Sequence, residues 1–416
     1  MPQRRLSESM TVLLIGAVNF INVLDFVMVT PLGPEFTQAL GIPTSYVGLI
    51  GGSYTASACV SGFIGAFVLD RFDRRAALAV AMLGLVAGTA AGGLATGLGS
   101  LVLTRVVAGF FGGPATSIGY AIIADCIAPE RRGRAIGALM GAFSVASIVG
   151  VPAGLELARA FGWRAPFFAL GALGALVTVG VAALLPPLRR HLENGPPETA
   201  SLGELLADGT VRWSYTLTAL AMLSTFLVVP NIATFYEYNL GYPHERLSRL
   251  YFLGGIASLL SMRAVGALVD RFGSTPTGTF GALAYAAGLW AAFVASPPPL
   301  PVLGLFVLLM IASAFRNVST STLTSKVSGP RERARFMSIQ SAVQHAASAA
   351  GGFLSTRLLS ELPDRRLVGM GRVAHVAALL VFALLPVLWL VDRRVRARKD
   401  APAEGELGPE SLPHPH

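Results

Sequence analysis

Long apolar runs recur along the whole chain, separated by short segments of Gly, Pro and charged residues. Each run is close to the roughly 20 residues that a helix needs to cross the hydrocarbon core of a membrane. The pattern therefore predicts an all-α polytopic membrane protein with twelve transmembrane helices. Their approximate ranges are 11–33, 45–69, 76–98, 101–125, 136–158, 166–186, 213–239, 248–269, 277–296, 301–325, 336–358 and 369–391.

The longest segment between predicted spans divides them six and six. Leu-Asp-Arg-Phe at 69–72 recurs as Val-Asp-Arg-Phe at 269–272, an offset of 200, and the basic loop 128–134 recurs at nearly the same offset as 329–335. Two matched loops at one spacing indicate an internal duplication. We therefore expect two pseudo-symmetric six-helix bundles.

The predicted organisation has four parts. They are an N-terminal bundle over 1–187, a cytoplasmic linker over 188–212, a C-terminal bundle over 213–392 and a cytoplasmic, disordered tail over 393–416. The tail prediction depends on its Pro, Glu and Gly content.

Composition excludes an ordinary soluble protein. The chain is 53% hydrophobic and 13% charged, whereas a soluble domain carries roughly a quarter charged residues. The net charge of +9 comes from short clusters between apolar runs, so it predicts topology rather than a nucleic-acid partner. These clusters favour a multi-pass protein of the cell inner (plasma) membrane with both termini cytoplasmic.

Two local motifs carry further information. The loop after the second span contains Asp70, Arg71, Arg74 and Arg75, and its second copy contains Asp270 and Arg271. The fifth span is rich in small residues around a proline; its motif positions are Gly141, Gly150, Pro152 and Gly154. Small residues allow close helix approach, and a proline bends a helix.

With these motifs, nearly the whole chain resembles the major facilitator superfamily, and within it the twelve-span drug:proton antiporters and sugar-efflux permeases. The resemblance implies the major facilitator fold and a transporter rather than an enzyme. It also implies a monomer in the lipid bilayer that binds a small-molecule substrate and protons, with no cofactor other than the proton gradient as energy source. Asp70 and Arg71 would latch the outward-open state with Asp125 as a partner, although a solvated topogenic loop remains the alternative.

The first span carries polar residues on one arc. Asn19, Asn22 and Asp25 fall within about 120° at helical spacing, and Arg105 lies in the fourth span. A buried carboxylate resists ionisation and a nearby Arg favours it, so the Asp25 and Arg105 pair is the predicted proton-coupling site. A structural ion pair without a proton role remains the alternative.

Other polar residues within spans are candidates for the substrate cavity. With Asn19 and Asn22, this set comprises Tyr120, Asn231, Tyr236, Glu237, Arg316, Asn317, Gln340, Gln344 and His345. Arg263 and Arg316 would suit an anion if both faced the cavity, or would serve the cytoplasmic gate if they lay near that end.

The preferred hypothesis is proton-coupled efflux of a small organic compound or drug by alternating access. Proton symport or facilitated uptake of a small metabolite, such as a sugar or organic anion, uses the same fold and remains open. A non-transporting sensor is the alternative from another class. The sequence contains no HExxH, no Walker loop and no GxSxG with plausible triad partners, and we predict no metal site.

Overall fold

The computed structural model describes residues 7–189, 202–329 and 333–400. The first six spans form one antiparallel bundle, in which helix ends coincide with Gly, Pro or loop charges. Its helices are Glu8–Met28 and Gly33–Leu40 (first span), Val47–Val68, Arg74–Gly92, Leu98–Cys126, Pro129–Val145 and Val151–Phe161 (fifth span), and Ala165–Leu184.

The second bundle repeats this order. Its helices are Gly209–Phe226 and Ile232–Tyr238 (seventh span), Leu247–Phe272, Ser274–Phe293, Val302–Thr324, Arg333–Leu358 and Met370–Asp400. A short helix, Leu202–Ala207, precedes them, and the strands Ser360–Glu361 and Leu367–Val368 pair antiparallel in the loop before the last span. Short 3-10 turns lie at Thr44–Tyr46, Leu69–Arg71, Val229–Asn231 and His244–Arg246.

Ten of these spans are long and apolar enough to cross a membrane by length and composition. The other two spans in the described residues are Ser274–Phe293 and Arg333–Leu358. The first is built largely of Gly, Ala and Thr, and the second carries the polar stripe that the sequence placed at 340–348. Both lie inside the twelve-helix order that the sequence predicts.

The first and seventh spans are broken rather than continuous. Pro34 stands in the first turn of Gly33–Leu40, where its missing N–H costs nothing. Pro230 begins the 3-10 turn that separates the two parts of the seventh span. The first span was predicted over 11–33 and the seventh over 213–239. The structure ends their first helices at Met28 and Phe226 and continues each span after a turn, because hydropathy does not register where the hydrogen-bond ladder is interrupted.

The boundaries at the linker and tail also differ in detail. Residues 190–201 and 401–416 lie outside the described residues, so the linker and the predicted disorder of the tail are not described there. Within 202–212 the chain is already helical. The last helix continues to Asp400, past the predicted boundary at 392, because Arg and Lys are good helix formers.

The two bundles meet along the second and eleventh spans. A Cβ added to Gly48 would lie 2.5 Å from the Gly352 carbonyl oxygen, and one added to Gly52 would lie 2.9 Å from the Phe353 ring. Glycine is therefore required here so that the two backbones can touch.

Candidate functional site

Asp25 and Arg105 form a buried ion pair inside the first bundle. An Nη of Arg105 donates to Oδ1 of Asp25 at 2.9 Å, and the Thr89 hydroxyl donates to the same oxygen at 2.8 Å. Both charged residues have a relative exposure of 0%. The Arg105 guanidinium also lies 5.3 Å from the Phe167 ring centroid.

One atom of this pair is left free. Asp25 Oδ2 is buried and has no hydrogen-bond partner, while Oδ1 accepts two. A carboxylate oxygen without a donor is where a proton would add with least rearrangement. The sequence predicted the pairing of Asp25 with Arg105 but missed Thr89, which lies on the third span and carries no periodic signal.

The two asparagines of the first span also form hydrogen bonds within the first bundle. Asn19 donates to the Leu139 carbonyl at 2.7 Å, and Asn22 donates to the Gly112 carbonyl at 2.6 Å. Tyr54 donates to Asn22 Oδ1 at 2.5 Å. The polar arc therefore ties the first span to its neighbours, and the structure places Asn19 and Asn22, both cavity candidates, in hydrogen bonds within the first bundle.

Arg316 is a buried cation of the second bundle, but its surroundings are neutral. Its Nη atoms donate to the Ser224 hydroxyl at 3.1 Å and to the Thr225 hydroxyl at 2.5 Å. The Tyr285 ring centroid lies 4.2 Å from the guanidinium carbon. In the part of the chain that the structure describes, no ion pair joins Arg316 to an acid, and its Nε has no partner. Arg263, by contrast, is exposed.

The seventh-span candidates separate into two places. Asn231 is buried at the helix break, where its side-chain amide donates to the Leu227 carbonyl at 3.3 Å. Tyr236 lies in an aromatic cluster with Phe293 and Phe306. Glu237 lies instead at one end of the molecule, 2.9 Å from His244. The assignment of Tyr236 and Glu237 to the cavity is not supported by these contacts, because two neighbouring positions of a short helix point in different directions.

The remaining candidates are spread along three helices. Gln340 is buried and donates to Thr324 at 3.1 Å, whereas Gln344 is exposed and His345 is half-buried. Asn317 is half-buried, with a buried Oδ1 that has no partner. Tyr120 is half-buried against the apolar core. Asn317 and Arg316 are already neighbours in sequence, and the structure does not gather the predicted cavity residues in one place.

The predicted latch of Asp70 and Arg71 with Asp125 concerns the outward-open state and stays a prediction. Asp125 pairs with Arg74 at 2.8 Å, not with Arg71, which is exposed. The side chain of Asp70 lies outside what the structure describes. Arg75 donates to the Ala182 carbonyl, and in the second copy Asp270 and Arg271 are both exposed.

Asp73 closes this loop through its hydrogen bonds. It caps the third span by accepting from the Arg75 N–H at 2.9 Å and also accepts from Arg189 at 3.0 Å. Burial acts to raise the pKa of this carboxyl, but the hydrogen bonds from Leu188, Arg189 and Arg75 outweigh it and lower the pKa. An ionised Asp73 thus caps the third span at the end of this loop.

The fifth-span motif packs on the first span. Between Ala146 and Gly150 the helix widens into a π turn. A Cβ on Gly150 would meet the Leu24 side chain at 2.6 Å, and one on Gly154 would meet Met28 at 2.8 Å. Gly141 has open space around it and Pro152 begins the next helical segment, so the close-packing role falls on Gly150 and Gly154.

A cluster that the sequence did not predict joins the bundles at the end opposite the charged loops. His244 Nε2 lies 2.8 Å from Glu35, and its Nδ1 lies 2.9 Å from Glu237. Gln38 donates to Glu237 at 3.3 Å, and Ser248 donates to Glu156 at 2.5 Å. No spacing signal connects residues so far apart in sequence, so only the fold could have revealed this cluster, hereafter the outer clasp (Glu35, Gln38, Glu237 and His244).

A sequence profile described as Major Facilitator Superfamily matches residues 15–298 and 215–414. The chain belongs to the Major Facilitator Superfamily. The match covers both bundles, as expected for a superfamily whose members are built from two related halves. Its members and structural neighbours are transporters, so this superfamily protein is a membrane transporter and not an enzyme.

Relatives within the superfamily align over most of the chain. The MFS-type transporter YtbD of Bacillus subtilis (strain 168) is 24% identical over 387 residues, covering 92% of this chain and 94% of the relative. A chloramphenicol resistance protein of Streptomyces lividans is 25% identical over 367 residues, covering 87% and 92%.

Solved structures agree with the superfamily fold. A bacterial homologue of the human lysosomal transporter Spinster, crystallised in an inward-facing, unoccupied conformation, has a TM-score of 0.74 at 18% identity, covering 95% of this chain and 99% of that one. A D-xylose–proton symporter has a TM-score of 0.72 at 18% identity, covering 91% and 98%. At this identity the likeness concerns the fold alone.

Proposed function

We propose that this superfamily transporter is a proton-coupled antiporter that exports a small organic compound. Protonation and deprotonation of Asp25 would supply the coupling, and alternating access of the two bundles would supply the movement. The lipid bilayer of the cell inner membrane is the proposed location, with both termini cytoplasmic because the basic loops lie on that side.

The observation that carries the proposal is the uneven use of the Asp25 carboxylate. Arg105 and Thr89 both donate to Oδ1, whereas Oδ2 is buried without a donor. A purely structural buried ion pair is stabilised by satisfying all its polar atoms. A carboxylate with one oxygen held ready is suited to exchange a proton, with Arg105 favouring the charged form when the proton leaves.

Two further observations favour export. The chloramphenicol resistance protein of Streptomyces lividans aligns over most of both chains, and its name concerns resistance to a drug. The fifth span carries Gly150 and Pro152 next to a π turn, which is the part of the sequence that resembles antiporters.

The contacts between the bundles support an inward-open arrangement in the proposed topology. The outer clasp joins them on the side away from Arg74, Asp125 and the other charged loop residues. A small cavity lined by Gly62, Arg74, Ser117 and Ser338, among others, lies on the opposite side, where the second, third and fourth spans meet the eleventh.

The test uses purified protein in liposomes with an imposed pH gradient. Internal pH is followed as chloramphenicol and a panel of other drugs and sugars are added in turn. Proton movement opposite to the added compound supports the proposal, whereas movement in the same direction would establish symport and overturn export as the working function.

Asp25→Asn separates the proton step from substrate movement. The variant is expected to lose pH-driven accumulation and to keep exchange of labelled for unlabelled compound, because the amide cannot take up the proton. Glu8→Gln, at an exposed ion pair with Arg131, is the matched control and should behave as wild type. Unchanged pH-driven transport in Asp25→Asn would eliminate this carboxyl as the coupling group.

A further inference from the structure

Among the described residues the buried guanidinium of Arg316 has no counter-charge, unlike that of Arg105. Both residues have a relative exposure of 0%. Arg105 is neutralised by Asp25 at 2.9 Å, while Arg316 meets the hydroxyls of Ser224, Thr225 and Tyr285 and the Tyr285 ring, all of them neutral. An ionised side chain within a membrane-spanning helix is costly, so one without a counter-charge marks a candidate functional site.

The duplication shows that the fold itself does not demand this cation. Gly88 packs on Ala108 in the first bundle, and Gly288 packs on Leu309 in the second, so the paired contacts are displaced by 200 and 201 positions. In that register Arg316 corresponds to Ala115, a buried small residue. Gly41 and Gly241, which follow the first and seventh spans with φ of 62° and 65°, are 200 positions apart. By that offset Thr225 corresponds to Asp25, so the second bundle has a hydroxyl where the first has the neutralising carboxylate.

The hydroxyls around Arg316 cannot act as its counter-charge. Ser224 and Thr225 each donate to the Ala221 carbonyl, at 3.0 and 2.8 Å. Their hydroxyl oxygens therefore accept the guanidinium hydrogen bonds as neutral groups. Arg316 Nε and the neighbouring Asn317 Oδ1 have no partners. A ligand with an acceptor oxygen would satisfy the Nε of Arg316.

The site lies beside the junction of the two bundles. Phe226, the neighbour of Thr225, packs on Phe26 of the first span in a tilted ring contact with centroids 5.6 Å apart. Thr225, Phe226 and Asn317 are all half-buried rather than sealed. A compound held between the bundles against these aromatic rings would therefore come within reach of Arg316 by displacing one hydroxyl contact.

We propose that Arg316 binds the carboxylate of the transported compound, which makes the substrate class a small organic anion with an apolar or aromatic body. The guanidinium fork matches a carboxylate with two parallel hydrogen bonds. The inference rests on the proposed transport of a small organic compound but not on its coupling to protons.

The first test compares acids with their own amides. The thermal unfolding of purified protein is measured in HEPES buffer with acetate against acetamide and benzoate against benzamide. Acetate is small enough to reach any open anion site, and benzoate adds a ring. We expect both acids to raise the melting temperature, benzoate more than acetate, and the amides to leave it unchanged.

Two variants and one control test whether the rise in melting temperature arises at Arg316. Arg316→Gln should abolish the response to the acids, and the exposed Arg263→Gln, as matched control, should keep it. Thr225→Asp introduces a carboxylate at the position that Asp25 occupies in the first bundle. This variant should melt at a higher temperature than wild type without ligand and should no longer respond to acetate or benzoate, because the site is already neutralised.

Three outcomes would overturn the inference. Equal stabilisation by acid and amide, or by neither, would show that no carboxylate site is present, and this comparison needs only the wild-type protein. An equal response to chloride would assign an inorganic anion instead. A response that persists in Thr225→Asp would place the anion elsewhere. If benzoate binds but moves no protons in liposomes, the proposed coupling fails and this inference stands.

Discussion

At the scale of single residues, each buried charge of the pair in the first bundle is neutralised by the other. Asp25 and Arg105 are both fully buried, and each is the other's counter-ion. Removing one partner of such a pair leaves an uncompensated charge, which is more costly than removing both. The pair can therefore be examined by substitution independently of transport.

We expect Arg105→Gln to destabilise the protein by about 3 to 5 kcal/mol, the range for breaking a buried pair. The double variant Arg105→Gln with Asp25→Asn should recover most of that loss, because it leaves no buried charge. The measurement is thermal unfolding in detergent, with Arg131→Gln at the exposed pair with Glu8 as control. A double variant no more stable than Arg105→Gln alone would show that the two charges do not compensate each other.

The polar residues of the first span were predictable because period and chemistry coincide there. Asn19, Asn22 and Asp25 share one arc, and the structure gives each of them a partner in the first bundle. The partners themselves, such as Thr89 and the Leu139 carbonyl, depend on how helices pack and carry no pattern of their own. Asp125 and Arg74 were both predicted as gating-loop residues, but their ion pair could be seen only in the folded structure.

At the scale of helices, glycine decides which spans approach closely. A Cβ on Gly113 would lie 2.7 Å from the Ala58 carbonyl oxygen, and one on Gly109 would overlap the carbonyl oxygen of Tyr54. The fourth span therefore packs its backbone against the second. Neither carbonyl can move aside as a side chain does, because each belongs to the hydrogen-bond ladder of a helix.

We expect Gly109→Ala to cost about 1 to 3 kcal/mol, as overpacking does. Gly141→Ala is the matched control because it lies in open space; it should be neutral or stabilising by up to about 1 kcal/mol from helix propensity alone. Thermal unfolding of the two variants and wild type decides between them. Equal effects would mean that close approach of the second and fourth spans is not what requires Gly109.

The number and order of the spans could be predicted from hydropathy, while their breaks could not. Pro34 and Pro230 were visible in the sequence, but a proline in a span either bends the helix or starts a new one. The helix Ser274–Phe293 shows the opposite case: its Gly and Ala residues make it weakly apolar, yet the duplicated order required a span at that place.

At the scale of the whole molecule, the outer clasp favours one arrangement of the two bundles over another. Glu35 belongs to the first bundle, and Glu237 and His244 to the second. An imidazolium between two carboxylates links the bundles through both ring nitrogens. The bundles must lose these contacts before the clasped end can open.

We therefore expect His244→Ala to shift the population toward the state that is open at the clasped end. The change should be roughly fivefold, because a partly exposed ion pair contributes on the order of 1 kcal/mol. The measurement is the spin-label distance between Ala39→Cys and Glu245→Cys, both exposed positions, with Cys59 and Cys126 replaced.

Arg366→Gln is the matched control for this measurement. Its ion pair with Asp364 is also outside the helices, but both partners belong to the second bundle. It should leave the distance distribution unchanged. A distribution that is likewise unchanged in His244→Ala would mean that the clasp does not set the balance between states.

The contact between Gly48 and Gly352 has a mechanical consequence. Side chains that interlock must be withdrawn from one another before two surfaces can move, and each withdrawal adds to the barrier. Here backbone faces backbone, with the Gly352 carbonyl against Gly48 and the Gly48 carbonyl against Gly352. At Gly48 and Gly352 the second and eleventh spans thus meet backbone to backbone, and the bundles can rotate about this point without first separating.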